Sequence, residues 1–314
     1  MNQILLLLRE LLEKKENESF KNFLKPFNSP NLEWYLISDY CIDDTNKLND
    51  VFSFSLLLNH DEISNIKDFI KAGAPKDIKN AKDVGVSFLS YVNSSVIYHF
   101  SFIIPRNNKL LKGFYSKEMM TSEISFINQV CENSIIDNTT GLNDYLKDVQ
   151  KRIKQIKIEM QRPTFNETLM RKILLTGIFG ASIANLLKIN STPSKVLWIS
   201  DRDAIIDKYD GFAFDFMFMH YLLLPTDKYP SKDKFEFMFS NSGQTFYDEL
   251  IRIPDYYAGT LASIDLNDKR QLEELHNKHK TFVRGSIVNS INQANIKLEC
   301  TDSKLSVYNT KWVI

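Results

Sequence analysis

Residues 34–58 read WYLISDYCID, DTNKLND and VFSFSLLL, two runs of aromatic and aliphatic residues joined by a polar turn. Such a stretch predicts an antiparallel hairpin. A hairpin is not stable alone, so the rest of the chain must add strands to it and cover its faces. Apolar runs at 96–104 (VIYHFSFII), 195–200 (KVLWIS) and 235–240 (FEFMFS) predict further strands, and alternating residues from 295 to 314 predict more. Between them the period becomes helical, in DEISNIKDFIKAG, VSFLSYV, three long segments between 115 and 188, and KRQLEELHNKHKTFVRGSIVNSI, expected as one helix. This order of strands and helices predicts an α/β fold, a mixed sheet flanked by helices.

No Pro/Gly-rich linker divides the 314 residues. The expected organisation is an N-terminal helical appendage at 1–30, a main domain at 31–290 with a helical insertion at about 115–188, and a C-terminal strand extension at 291–314. Leu5, Leu8, Leu11 and Leu12 repeat at helical spacing in the first segment of the appendage, which should end in the polar run KKENES before a second short helical piece, FKNFLKPF.

Composition narrows the function classes. Lys+Arg and Asp+Glu number 39 each, so no global basic field announces nucleic-acid binding. Cys41, Cys131 and Cys300 form no CxxC clip, which suits a reducing, cytoplasmic setting. The start, MNQILLLLRELLEKKE, lacks a basic leader region and a cleavage site, and no run approaches the ~18 uninterrupted apolar residues of a membrane span. The five histidines make no HExxH pattern, and His276 and His279 read as surface residues. No GxSxG elbow is present, and Gly177 and Gly180 lie in an apolar helical run where close helix packing explains them.

The stretch RIPDYYAGTLASID at 252–265 carries the sharpest question. Pro254 suits the first turn of a helix and Asp255 the positive end of its dipole, yet Ala258, Gly259 and Ala262 are small enough to admit another backbone. Asp39 lies within an apolar strand, Asp77 in PKDIK, and Asp201 and Asp203 follow KVLWIS. Strand ends and helix starts in α/β folds converge on one edge of the sheet, so these acids can be neighbours. Gathered carboxylates repel each other unless cations are present, and an oxygen-rich set suits Mg²⁺ or Mn²⁺.

Four stretches together resemble the domain of unknown function 3800 family, which is related to ribonuclease-H-like nucleases. YLISDYCIDDTNKLNDVFSFSLLL is similar to that family's YIDESGD…YFVLGGVIV, PKDIKNAK to its EIKGSK, KVLWISDRDAI to its later strand ending in Asp, and FSNSGQTFYDELIRIPDYYAGTLAS to its DSKESPLLQLADLLAGAL. The resemblance spans residues 33–265 and implies a ribonuclease-H-like fold with Asp39, Asp77, Asp201 and Asp255 as catalytic, metal-binding acids. The chain departs from the pattern at Ser38-Asp39-Tyr40-Cys41, which lacks the Glu and Gly, and at Asp77, one methylene shorter than Glu. Asp43 competes with Asp39 as first acid, and Asp203 with Asp201.

The expected function is divalent-metal-dependent hydrolysis of DNA or RNA, in a mobile-element or antiphage setting. The alternative is an inactive ribonuclease-H-like module that binds protein or nucleic acid, with the helical insertion as the surface for a protein partner. The helix KDVQKRIKQIKIEMQR offers Lys147, Lys151, Lys154 and Arg162 as candidate nucleic-acid contacts, against a solvated face balanced by Asp148 and Glu159.

Overall fold

A computed structural model of the chain describes residues 3–27, 32–137, 142–191, 194–223, 235–238, 247–265, 269–288, 290–301 and 304–310. Strands β1 (Glu33–Cys41), β2 (Asn49–Leu58), β3 (Ile97–Pro105), β4 (Lys195–Ser200), β5 (Phe235–Met238), β6 (Gln293–Cys300) and β7 (Leu305–Asn309) form one sheet in the order β5-β4-β1-β2-β3-β6-β7. The hairpin pairs β1 with β2 antiparallel, and β3 continues it antiparallel to β2. β4 lies parallel to β1 and β5 parallel to β4, while β6 lies parallel to β3 and carries β7 antiparallel. The chain is therefore an α/β protein with a mixed sheet flanked by helices. The C-terminal strands belong to this same sheet.

Side-chain alternation along the strands divides the interior in two. Trp34, Leu36, Phe52, Phe54, Phe102 and Trp198 face one core, with α1 (Gln3–Leu11), α2 (Asn17–Leu24), α5 (Lys117–Asp137), α6 (Asn143–Met160), α7 (Glu167–Asn190) and α9 (Phe212–Leu222). Ile37, Val51, Leu57, Ile103 and Ile199 face the other, with α3 (Ile63–Gly73), α4 (Val86–Val92), α10 (Asp248–Ala262) and α11 (Asn277–Phe282). β2 is buried along nearly its whole length because both faces are covered.

α7 is the centre of the first layer. Its 24 residues are apolar and long enough to cross a membrane, but 83% of the apolar window is buried inside the protein, the position of a core helix. Gly177 and Gly180 permit that burial: a Cβ on Gly177 would stand 2.7 Å from the Ala213 carbonyl of α9, and one on Gly180 would press on the Trp198 ring.

Three local expectations fail, each for a physical reason. KKENES does not end the N-terminal helix. Leu12–Glu16 continue it as a widened turn, and buried Glu16 accepts from the Asn309 amide at 2.6 Å. The single helix expected from residue 269 is broken at His276, whose extended backbone (φ −60°, ψ 145°) starts α11 in a new direction. Pro254 is not in a first turn: α10 begins at Asp248, six residues earlier, and the proline sits inside it. Its ring removes one helical hydrogen bond there. Asp255 is thus no helix-start residue, and its carboxylate has to be explained by what lies across from it.

Candidate active site

Strand geometry sets the first two acids. On β1, Trp34 and Leu36 point to the α7 side and Ile37 to the α10 side, so Asp39, two residues beyond Ile37, points toward α10. Parallel pairing aligns Ser38 with Ser200, and the Asp201 N–H donates to the Ser38 carbonyl at 3.0 Å. One residue past each serine stand Asp39 and Asp201, side by side at the carboxyl ends of neighbouring strands. On the opposite face a polar cluster locks this register: the Ser38 hydroxyl lies 2.8 Å from Tyr40 Oη and 2.9 Å from Ser200 Oγ, and the Trp198 indole N–H donates to it at 2.8 Å.

α10 supplies the third acid and the loop before α4 the fourth. Asp255 accepts from the Ile78 N–H at 2.6 Å and shares a hydrogen bond with the Asp39 carboxyl. The small residues of the stretch explain how the loop comes so close. A Cβ on Gly259 would stand 2.5 Å from Ile78 Cγ2, so only glycine admits Ile78 against this turn of α10. Side chains then hold the loop by its carbonyls. The Arg252 guanidinium donates to the Ala74 carbonyl at 2.8 Å, Tyr256 Oη to Lys76 at 3.0 Å, and Lys278 Nζ to Ile78 and Lys79 at 2.6 and 2.9 Å.

The result is a cleft of about 700 Å³ lined by Asp39, Asp77, Asp201 and Asp255, together with Asp44, Asp248, Lys47, Lys278, Arg252, His276 and His279. The four acids expected from separate stretches meet there. Burial pushes the Asp39 carboxyl well above the usual carboxylate range, and the charges of Asp255 and Asp201 add to the effect. Burial likewise raises Asp255 to about 7, with the Asp77 charge adding and the Ile78 N–H opposing. Asp201 is raised too, its carboxyl partly desolvated at the cleft wall although the residue is exposed, and the Asp77 and Asp248 charges add to this. The contact between Asp39 and Asp255 is a hydrogen bond only when one of them carries a proton, and burial together with their mutual repulsion favours a proton held by the pair.

The donor chemistry suits a hard divalent cation, since all four groups are carboxylates. A bound cation would take over the neutralising role of the shared proton. As they stand, however, no three His, Cys, Asp or Glu side chains among the described residues are grouped to hold a metal ion. Asp39 and Asp255 are in direct contact, while Asp77 and Asp201 are exposed at the cleft wall.

The competing acids lie elsewhere. Asp43 falls after β1 has ended, in a left-handed conformation (φ 62°), and pairs with Lys172 of α7. Asp203 caps the short helix α8 (Ala204–Asp207), accepting from the Ile205 and Ile206 N–H groups at 2.8 and 3.1 Å. The basic stripe runs along α6 and just past its end, across the sheet from the cleft. Lys147, Lys151, Lys154 and Arg162 are exposed, and Lys147 and Lys151 pair with Asp144 and Asp148 at 3.5 and 2.8 Å. Lys151→Glu is expected to change stability by no more than about 0.5 kcal/mol in a thermal melt. A larger loss would show that the stripe supports the fold.

Sequence reading missed several lining residues. His279 is buried, not a surface residue, and its ring lies 3.0 Å from Thr260 Oγ1 on α10. The break at His276 turns α11 back toward α10, and a continuous helix would have hidden this. Lys47 and Lys278 reach the cleft from a turn and a helix 231 positions apart, a juxtaposition with no local signal.

Comparison with protein-family models, with curated proteins and with solved structures finds no match.

The acid pair predicts an unusual pH response. The folded chain holds protons that unfolded carboxylates release near pH 4, so it is the better proton binder between about pH 4 and 7. Stability in EDTA should therefore be greatest at the acid end of that window and fall by about 4 kcal/mol across it, levelling off above pH 7. Melts of the wild type and of Asp255→Asn between pH 5 and 8 check this, the variant showing the flatter profile. An unchanged slope would assign the effect to Asp203 and Asp215, which burial raises to about 6.

Proposed function

We propose that this chain is a ribonuclease-H-like, divalent-metal-dependent nuclease that hydrolyses phosphodiester bonds of DNA or RNA. The observation behind this reading is the convergence of Asp39, Asp77, Asp201 and Asp255 on one cleft, from positions spread over 217 residues of sequence. The part of the sheet ordered β3-β2-β1-β4-β5, an antiparallel meander continued by two parallel strands, suits the ribonuclease-H-like fold that the sequence resembles. Kinship with the domain of unknown function 3800 family, a mobile-element or antiphage role and a cytoplasmic setting belong to the same proposal. Cys41, Cys131 and Cys300 form no disulfide with one another, which agrees with the last.

Asp39 and Asp255 would be the principal ligands of Mg²⁺ or Mn²⁺, with Asp201 and Asp77 completing the set. The metal would supply positive charge that makes water nucleophilic near neutral pH and stabilises charge on the phosphate. The chain does the rest. β1 and β4 fix two carboxylates by register, α10 presents the third, and the loop clamped by Arg252, Tyr256 and Lys278 carries the fourth.

Incubation with single- and double-stranded DNA and RNA tests the reading, with cleavage expected in Mg²⁺ or Mn²⁺ and none in EDTA. Every substrate left intact with both metals would sink it. The inactive binding module has one observation in its favour, the lack of a three-acid metal group among the described residues. Calorimetry decides between them: no heat of metal binding in the millimolar range selects the module.

A further inference from the structure

The acidic cleft also contains two lysines that form no ion pair among the described residues. Lys47, in the β1–β2 turn, donates to Ser263 Oγ at 2.6 Å near the C-terminal end of α10. Lys278, on α11, donates to the Ile78 and Lys79 carbonyls. Both are partly buried, and among the described residues neither makes an ion pair, although Asp44, Asp77, Asp201, Asp248 and Asp255 line the same cleft. They approach through one packing contact: Lys47 Nζ lies 3.5 Å from the Gly259 carbonyl, and Ile78, whose carbonyl Lys278 holds, packs directly on Gly259. Burial lowers the Lys278 pKa and the Lys47 charge lowers it further, against the pull of Asp255. His279 beside them is held at about 3 by burial and by the same two lysines, so it is neutral and adds no charge.

Two like charges brought together at a half-buried wall repel each other, and the nearby aspartates offset that repulsion only at a distance, without an ion pair among the described residues. An anion placed between them would relieve it directly. The backbone carbonyls and the Ser263 hydroxyl occupy some of their N–H donors and fix the nitrogens in place, which leaves the charges set for a ligand. Spanning the cleft from the acid wall to the lysine wall suits a chain of phosphodiesters, in which one phosphate lies at the acids and a neighbour lies at the lysines.

We infer that Lys47 and Lys278 form a phosphate-binding subsite that holds a phosphodiester of a nucleic-acid strand next to the one presented to the acids. The inference deepens the nuclease reading and rests on it for the identity of the ligand. Its test needs no catalysis. Fluorescein-labelled dT15 and rU15 are titrated with the full chain in EDTA, the two arms separating DNA from RNA. Lys47→Gln and Lys278→Gln should each weaken binding about tenfold, as expected for a lost charged hydrogen bond. Each should also lower the salt dependence by about one phosphate contact. The double Lys→Arg variant, which keeps both charges, should bind within about twofold of wild type.

Lys151→Gln removes the same charge from the far face and should change nothing. Wild type that binds neither oligonucleotide, a double Gln variant that binds like wild type, a Lys151→Gln loss of equal size, or an Arg pair as weak as the Gln pair would each overturn the subsite. Lysine-dependent binding in EDTA with no cleavage in either metal would leave the subsite standing and remove the nuclease reading alone.

Discussion

Asp255→Asn should reduce metal-dependent cleavage at least about a hundredfold, the scale expected when a ligand that would hold the preorganised positive charge at a reacting phosphate is removed. Asn is nearly the same shape. Its carbonyl oxygen can still accept from Ile78 N–H, and its amide can donate to Asp39, so the geometry around α10 has what it needs to persist. What disappears is a charge. In EDTA at pH 8 the variant should therefore melt higher than wild type, because Asp39 can ionise without a second carboxylate in contact. Lost activity together with gained stability marks a site that strains the fold for function. Wild-type cleavage rates in the variant would remove Asp255 from the mechanism, and a lower melting temperature would remove the account of the pair.

Gly259→Val should destabilise the protein by about 3 kcal/mol, at the upper end of the overpacking range. The new Cβ would stand 2.5 Å from a branch methyl of Ile78, a buried β-branched side chain that is stiff about its first torsion, so the contact is relieved by moving the loop away from α10. Moving it breaks the Ile78 N–H bond to Asp255 and draws Asp77 from the cleft. The predicted signature is a lower urea midpoint accompanied by weaker Mn²⁺ binding in calorimetry. Destabilisation with unchanged metal affinity would mean that the loop's position is immaterial to the acids.

These two residues show what could be read from the chain. The hairpin and the strand that KVLWIS forms follow from apolar patterning, and the period of two puts Asp39 and Asp201 on the α10 face. Periodicity could not choose between Asp39 and Asp43, because positions four apart point the same way on a strand. The choice is made where β1 stops, at Cys41, and where the chain turns through a positive φ at Asp43. Asp201 and Asp203 are separated in the same way, by the start of a helix that uses Asp203 as its cap. Asp77 has no local pattern at all. Its place depends on Gly259, 182 positions later, and only the resemblance pointed to it. Pro254 misled because its preference for a first turn is a local rule, and burial of Ile253, Tyr256 and Tyr257 against the sheet overrides it.

The hydroxyl cluster of Ser38, Tyr40 and Ser200, tied to the Trp198 indole, has a mechanical consequence. It rivets the two acid-bearing strand ends together from the side away from solvent, so half of the cleft behaves as a fixed anvil. Asp77 hangs opposite on a loop suspended by side chains. If the four carboxylates are to share a cation, the Asp77 side would have to come in toward the anvil, and the hydrogen bonds of Arg252, Tyr256 and Lys278 to that loop set how far it is tied to α10 and α11.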